Sequence, residues 1–133
     1  MTYSILIADD HPLFREALTY IVKSVIPNAD IIEANNYSET KACLEKASFS
    51  LVFLDLNMPD SNGLTDLALI KKRHPSIPIV VVSAHEETDI IRTCFNYHAS
   101  GYIIKSSAPD DIKNAINTVL AGNTFVPNGV DLS

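Results

Sequence analysis

The stretch Ile5-Leu6-Ile7-Ala8-Asp9-Asp10-His11-Pro12-Leu13-Phe14-Arg15 carries three structural instructions in succession. Four apolar residues in a row read as a strand covered on both faces, because a half-exposed strand would alternate with polar residues. Two adjacent carboxylates then end the run. Pro12 follows, and its fixed φ and missing amide hydrogen suit the first turn of a helix. The helix it opens would bury Leu13, Ala17, Leu18, Ile21, Val22 and Val25 along one side. The reading is strand, acidic loop, helix.

Outward from this unit the pattern repeats at intervals of roughly 25 residues. Residues 29–34, 51–54, 79–82 and 102–104 read as the second to fifth strands. Between them, Ser38 is expected to cap a second helix, residues 63–73 to form a third and residues 86–97 a fourth. Pro109 starts a fifth, with Ile112, Ala115, Ile116, Val119 and Leu120 on one side and Gly122 just past its end. Lys71-Lys72-Arg73 closes the third helix, where cations favour the negative end of the helix dipole. Five such units predict an α/β fold: a doubly wound, five-stranded parallel sheet in the order 2-1-3-4-5 with five helices on its two faces. All strand C-termini then open on one edge, with the ligand site where the order reverses, between the first and third strands.

Composition narrows the function. The chain has 133 residues, enough for one domain with a substantial core, and 47% of them are hydrophobic. Its net charge is −6 and its basic residues are scattered apart from the one triplet, so it does not present the basic face of a nucleic-acid binder. No apolar run approaches the roughly 20 residues needed to cross a bilayer. Met1-Thr2-Tyr3-Ser4 has no basic n-region, so a signal peptide is not expected. Cys43 and Cys94 form no CxxC and fall in helical stretches; they read as buried or half-buried thiols of a cytoplasmic protein. Residues 123–133, with Pro127 and Gly129, look like the start of a linker after a domain spanning residues 1–122.

The chemistry sits at the strand ends. Asp9 and Asp10 follow the first strand, Asp55 the third, Ser83 ends the fourth and Lys105 follows the fifth. Singly, each is an ordinary loop, cap or solvated residue; together, at the same edge, they form a pattern. Clustered carboxylates raise one another's pKa unless a cation compensates. A hard divalent cation with oxygen ligands, such as Mg²⁺, suits the task, since it takes one or two carboxylates and keeps positions for water and phosphate oxygens. A carboxylate nucleophile, a metal and a fixed cation together equip a site for phosphoryl transfer.

These residues resemble the receiver domains of two-component response regulators over about residues 3–122. The opening Ile5 to Arg15 looks like that of the subfamily carrying a LuxR-type helix-turn-helix output domain. Asp55-Leu56-Asn57-Met58-Pro59-Asp60-Ser61-Asn62-Gly63-Leu64 resembles the loop around the phosphoacceptor, and Val82-Ser83-Ala84 and Gly101-Tyr102-Ile103-Ile104-Lys105 the hydroxyl and lysine motifs. The resemblance implies a flavodoxin-like fold and phosphorylation of Asp55 by a sensor histidine kinase. It implies Mg²⁺ held by Asp10, by Asp9 directly or through water, by Asp55 and by the backbone carbonyl of Asn57, with Ser83 and Lys105 on the phosphoryl oxygens. Tyr102 would be the aromatic that turns inward as the switch operates, changing the surface of the fourth helix, fifth strand and fifth helix. It further implies homodimerisation on phosphorylation, and DNA contact only through a C-terminal output domain outside this sequence. Such a protein catalyses its own phosphorylation and dephosphorylation but is not otherwise an enzyme. Ser83 replaces the commoner threonine but keeps the hydroxyl; Ser106 stands where many relatives have proline. His85, two residues past Ser83, is expected to tune the phosphate's lifetime, or else simply to start a helix in solvent.

Other readings fit less well. An aspartyl phosphatase would want a second acid two residues after Asp55, where Asn57 stands, and an inserted cap segment. A flavodoxin-type cofactor protein would need a Gly- or Ser/Thr-rich loop after the first strand, where the acidic pair lies. A receiver that never carries phosphate would not need the full set of five polar residues.

Overall fold

The structure, a computed structural model, describes residues 2–132. Strands β1 (Ser4–Ala8), β2 (Asp30–Ala34), β3 (Leu51–Asp55), β4 (Ile79–Ser83) and β5 (Gly101–Ile104) alternate with helices α1 (Pro12–Val25), α2 (Tyr37–Lys46), α3 (Leu64–Arg73), α4 (Thr88–Asn96) and α5 (Pro109–Leu120). The strands are parallel and ordered β2-β1-β3-β4-β5, as expected.

Alternation along the strands divides the apolar residues between two layers. Leu6, Ala8, Val52, Leu54 and Val81 face one layer, where Leu44 of α2, Leu67 and Ile70 of α3, and Ile91 and Cys94 of α4 close over them. Ile5, Ile7, Leu51, Phe53, Val80 and Val82 face the other, covered by Leu18, Ile21 and Val22 of α1 and Ile112, Ala115, Ile116 and Val119 of α5. Every residue of β3 and β4 is buried, which explains the unbroken apolar runs that lead up to Asp55 and Ser83. Cys94 is buried and Cys43 partly so, both unpaired.

Three local expectations need correction. Leu13 and Ala17 are exposed, Leu13 at 83%, because with Tyr20 they form a stripe turned aside toward Pro109 and Lys113 of α5, while Phe14, Leu18, Ile21 and Val22 take the side facing the sheet. Ser38 lies inside α2; the cap is Asn36, whose side chain accepts from the Glu39 amide at 2.7 Å while Glu39 Oε1 accepts from the Asn35 amide at 2.8 Å. Helix α4 begins at Thr88 rather than at residue 86, so His85 belongs to the loop and does not start the helix.

The triplet that ends α3 acts largely as expected. Lys71 Nζ donates to the carbonyls of Pro75 and Ile77, tying down the helix exit, and Arg73 pairs with Glu45 on α2. The tail read as a linker start is ordered against the sheet. The Phe125 amide donates to the Ser100 carbonyl at 2.9 Å, and its carbonyl accepts from the Tyr102 amide at 3.3 Å, a parallel bridge beside Gly101. Val130 packs on the layer under α4, and Arg92 of α4 donates to the Asp131 carbonyl. Among the described residues no helix is long and apolar enough to cross a membrane.

Candidate functional site

Sheet register assembles the site. Ala8 pairs with Leu54, so Asp9, one residue on, stands level with Asp55. Asp55 pairs with Val82, which puts Ser83 one step further along the neighbouring strand. Ser83 pairs with Ile104, and its carbonyl accepts from the Lys105 amide at 2.8 Å. Each polar residue is thus the first after an apolar strand has done its packing.

Asp9 and Asp55 are fully buried and Ser83 almost so, while Asp10 sits at the mouth with a quarter of its side chain exposed. Lys105 reaches across the edge: its Nζ lies 2.9 Å from Asp9 Oδ2, 3.2 Å from Asp55 Oδ2 and 5.1 Å from the centroid of the Phe14 ring. One ammonium does not balance three carboxylates. Asp55 titrates above the ordinary carboxylate range, chiefly because burial penalises its charge and further because Asp9 repels it. The Asn57 amide, 2.9 Å from Oδ1, and Lys105 pull the other way.

The residues present fit a divalent cation. Asp9, Asp10, His11 and Asp55 each offer a ligand atom, all within 4.8 Å of one another. Asp10 Oδ1 is buried with no hydrogen-bond donor, and Asp9 Oδ2 makes no well-aligned hydrogen bond despite its nearness to Lys105. Buried acceptors without donors are rare in satisfied structures, and a hard cation is the natural partner for them. Asn57 is exposed on the loop beside Asp55.

The loop after Asp55 is fixed at both ends. The Asp60 carboxylate receives the amides of Tyr37 and Ser38 at 2.7 and 3.0 Å, capping α2 from a distance, and these bonds hold its pKa down. Buried Asp66 accepts from Ser61 Oγ at 2.8 Å and the Asn62 amide at 2.5 Å. Gly63 turns the chain into α3 at φ +61°, where an L side chain would be strained.

On the far side of Ser83, its Oγ accepts from the His85 amide at 3.1 Å, and the His85 carbonyl accepts from the Tyr102 hydroxyl at 2.8 Å. Tyr102 is already completely buried, so in this structure it has no inward turn left to make. Burial holds its phenol above the ordinary pKa. The His85 ring itself points to solvent and pairs with Glu87 at 3.3 Å.

Two site residues had no place in the sequence reading. His11 Nδ1 lies 3.1 Å from Asp9 Oδ1 and 2.8 Å from Lys105 Nζ. Arg15 donates to the Asp9 carbonyl at 2.6 Å and to Glu33 at 3.2 Å, clasping the acidic loop to the end of β2. The signal for both was their position just after the acidic pair, His11 in the same loop and Arg15 one helical turn on.

The chain is 36% identical over 126 residues to the glycerol metabolism activator of Pseudomonas putida, covering 94% of this chain and 57% of that protein. It is 32% identical over 120 residues to the nitrate/nitrite response regulator protein NarL of Escherichia coli, covering 90% of this chain and 55% of NarL. It therefore spans little more than half the length of these curated relatives. The isolated receiver domain of RcsB from Salmonella enterica serovar Typhimurium, solved with the phosphomimetic BeF3−, superposes with a TM-score of 0.89 at 25% identity, covering 98% of this chain and 96% of that one. Residues 5–117 match the response regulator receiver domain as a family. Fold, register and sequence agree: the chain belongs to the response regulator receiver domain family.

Proposed function

We propose that this receiver domain, a signalling switch rather than a conventional enzyme, is switched by phosphorylation of Asp55, with a sensor histidine kinase as donor. What supports the reading is one juxtaposition: a buried, raised-pKa carboxylate 3.2 Å from a lysine ammonium and level with a second buried carboxylate. An Asp55 oxygen attacks the donor's phosphorus as the bond to a kinase phosphohistidine protonated on its other ring nitrogen breaks, leaving an aspartyl phosphate on this chain and a neutral imidazole on the donor. A bound Mg²⁺, held by Asp9, Asp10, Asp55 and the Asn57 carbonyl, would neutralise charge on the transferring group. Lys105 pairs with the phosphoryl oxygens from the other side, and the Ser83 hydroxyl donates to them.

Ser83 Oγ already accepts from the His85 amide, so drawing its hydroxyl onto the phosphoryl group would carry that amide with it, and the His85 carbonyl is what holds the Tyr102 hydroxyl. The charge event is thereby linked to α4, β5 and α5 as a shift between two packings. The tail paired to β5 beside Tyr102 would pass the change to whatever follows it. By likeness to its relatives, the chain would act in the cytoplasm as the receiver part, residues 1–122, of a transcription regulator. Residues 123–133 would begin the link to a DNA-binding domain, and the phosphorylated form would pair as a homodimer.

Incubation with acetyl phosphate and Mg²⁺, followed by intact-mass measurement, tests this. The wild type should gain one phosphoryl group; EDTA or Asp55→Asn should abolish the gain. No gain, together with no change in backbone amide resonances on adding beryllofluoride, would overturn the reading.

A further inference from the structure

His11 is where the pocket departs from an all-oxygen cation site. Its Nδ1 lies 3.1 Å from Asp9 Oδ1, 3.4 Å from Asp10 Oδ1 and 3.7 Å from Asp55 Oδ2. Neighbouring ligands of an octahedral ion bound at 2.0–2.1 Å are about 2.9 Å apart. The ring nitrogen thus stands near the spacing of one more ligand of the set, and only its distance to Asp55 is clearly wide.

The same atom has conflicting partners. Lys105 Nζ, 2.8 Å away, can only donate, whereas the carboxylates can only accept. No placement of one proton on Nδ1 satisfies both sides. A cation among the oxygens would take the Nδ1 lone pair in place of Lys105, whose ammonium keeps the Asp9 and Asp55 carboxylates as acceptors. The backbone favours this ring position as well. Preceding Pro12, His11 is extended at φ −96°, ψ 103°; its side chain makes no helix-capping bond, and its amide donates to Asp9 Oδ1 at 2.8 Å.

We propose that His11 is a nitrogen ligand of the cation pocket, and that it biases the pocket toward borderline divalent ions such as Mn²⁺, Co²⁺ and Ni²⁺ relative to Mg²⁺. Imidazole suits these metals, and affinity rises from Mn²⁺ to Ni²⁺, whereas Mg²⁺ prefers oxygen donors. The inference rests on the pocket being the divalent-cation site of the proposed switch, and it adds a ligand and a selectivity to that site.

The test uses the full chain without an affinity tag, loaded with Mn²⁺ and examined by pulsed electron paramagnetic resonance for nitrogen-14 coupling. Ni²⁺ and Mg²⁺ affinities are measured by calorimetry alongside. The His11 ring is 59% exposed, so His11→Ala should fold. The expected result is nitrogen coupling in the wild type that disappears in His11→Ala. Ni²⁺ affinity should fall at least about tenfold, the scale on which even outer-shell partners act, while Mg²⁺ affinity changes far less. Wild-type Mn²⁺ without nitrogen coupling, coupling that survives His11→Ala, or equal losses for Ni²⁺ and Mg²⁺ would each overturn the proposal. Asp10→Asn separates the two levels. If it abolishes Mn²⁺ binding while His11→Ala changes nothing, the pocket stands and the histidine ligand falls. If it leaves Mn²⁺ binding intact, the pocket reading itself fails.

Discussion

Phe53 and Asp55 stand two residues apart on one strand, both fully buried, in opposite circumstances. Phe53 belongs to the apolar layer built with β1, β4, α1 and α5, and its burial draws on the hydrophobic effect with no polar atom of its own to satisfy. Asp55 is buried among charges that one lysine cannot balance. The sheet thus gains stability along its length and gives some back at its rim, where the strands deliver their carboxylates. The rim is held in an unfavourable state by the interior beneath it, and a charged ligand that relieves it has something to act upon.

Opposite substitutions should separate the two regions. Phe53→Ala should cost roughly 3–5 kcal/mol in urea unfolding, with or without Mg²⁺. A loss below about 1 kcal/mol would mean that the interior is not packed tightly enough to hold the rim. Asp55→Asn should go the other way, stabilising by about 0.5–2 kcal/mol in EDTA, a gain of several degrees in Tm.

That gain should depend on pH with a definite sign. Because the folded-state pKa of Asp55 is raised, the native protein keeps its proton to higher pH than the unfolded chain does. Wild-type stability therefore falls as pH rises from the ordinary carboxylate value through the raised one, and the variant's advantage opens over that window. Below the ordinary value the two proteins should melt alike. With Mg²⁺ the wild type should recover ground that the variant does not. Equal melts across the whole pH range would dissolve the contrast.

The smallest effect is expected at His85. His85→Ala should leave stability within about 0.5 kcal/mol, as an exposed side chain does, yet alter by several-fold the rate at which the phosphorylated form loses its phosphate. An unchanged rate would confine the rim's chemistry to the buried residues.

Strand order and the placement of Asp9, Asp10, Asp55, Ser83 and Lys105 were legible because a parallel sheet leaves apolar runs and puts every strand end on one edge. What escaped depended on contacts across the chain. Leu13 kept the helical spacing, but spacing cannot say whether a layer lies behind it. Ser38 and Asn36 were both cap residues by type; Glu39, three after Asn36, was the local clue that decides between them. The start of α4 was hidden because Ser83 and Tyr102 engage the backbone of His85, keeping it in the loop. Tyr102 could be named as a switch residue, but its inward position depends on that carbonyl, which sequence does not reveal. Neither His11 nor Arg15 belongs to the apolar pattern, so neither announced its part in the site.

The bridge at Phe125 has a bearing on solubility. A parallel sheet ends in two strands with unpaired backbone groups, each able to template pairing with another molecule. On one side, Asp30 and Glu33 put charge along β2 even where Ile32 is 43% exposed. On the other, β5 reads Gly-Tyr-Ile-Ile, with no charge of its own to discourage a foreign strand. There the chain supplies its own guard: Phe125 occupies the amide of Tyr102 and the carbonyl of Ser100. Whatever loosens that segment exposes an aggregation-prone edge, so handling the protein in a monomeric form depends on residues that lie outside the sheet.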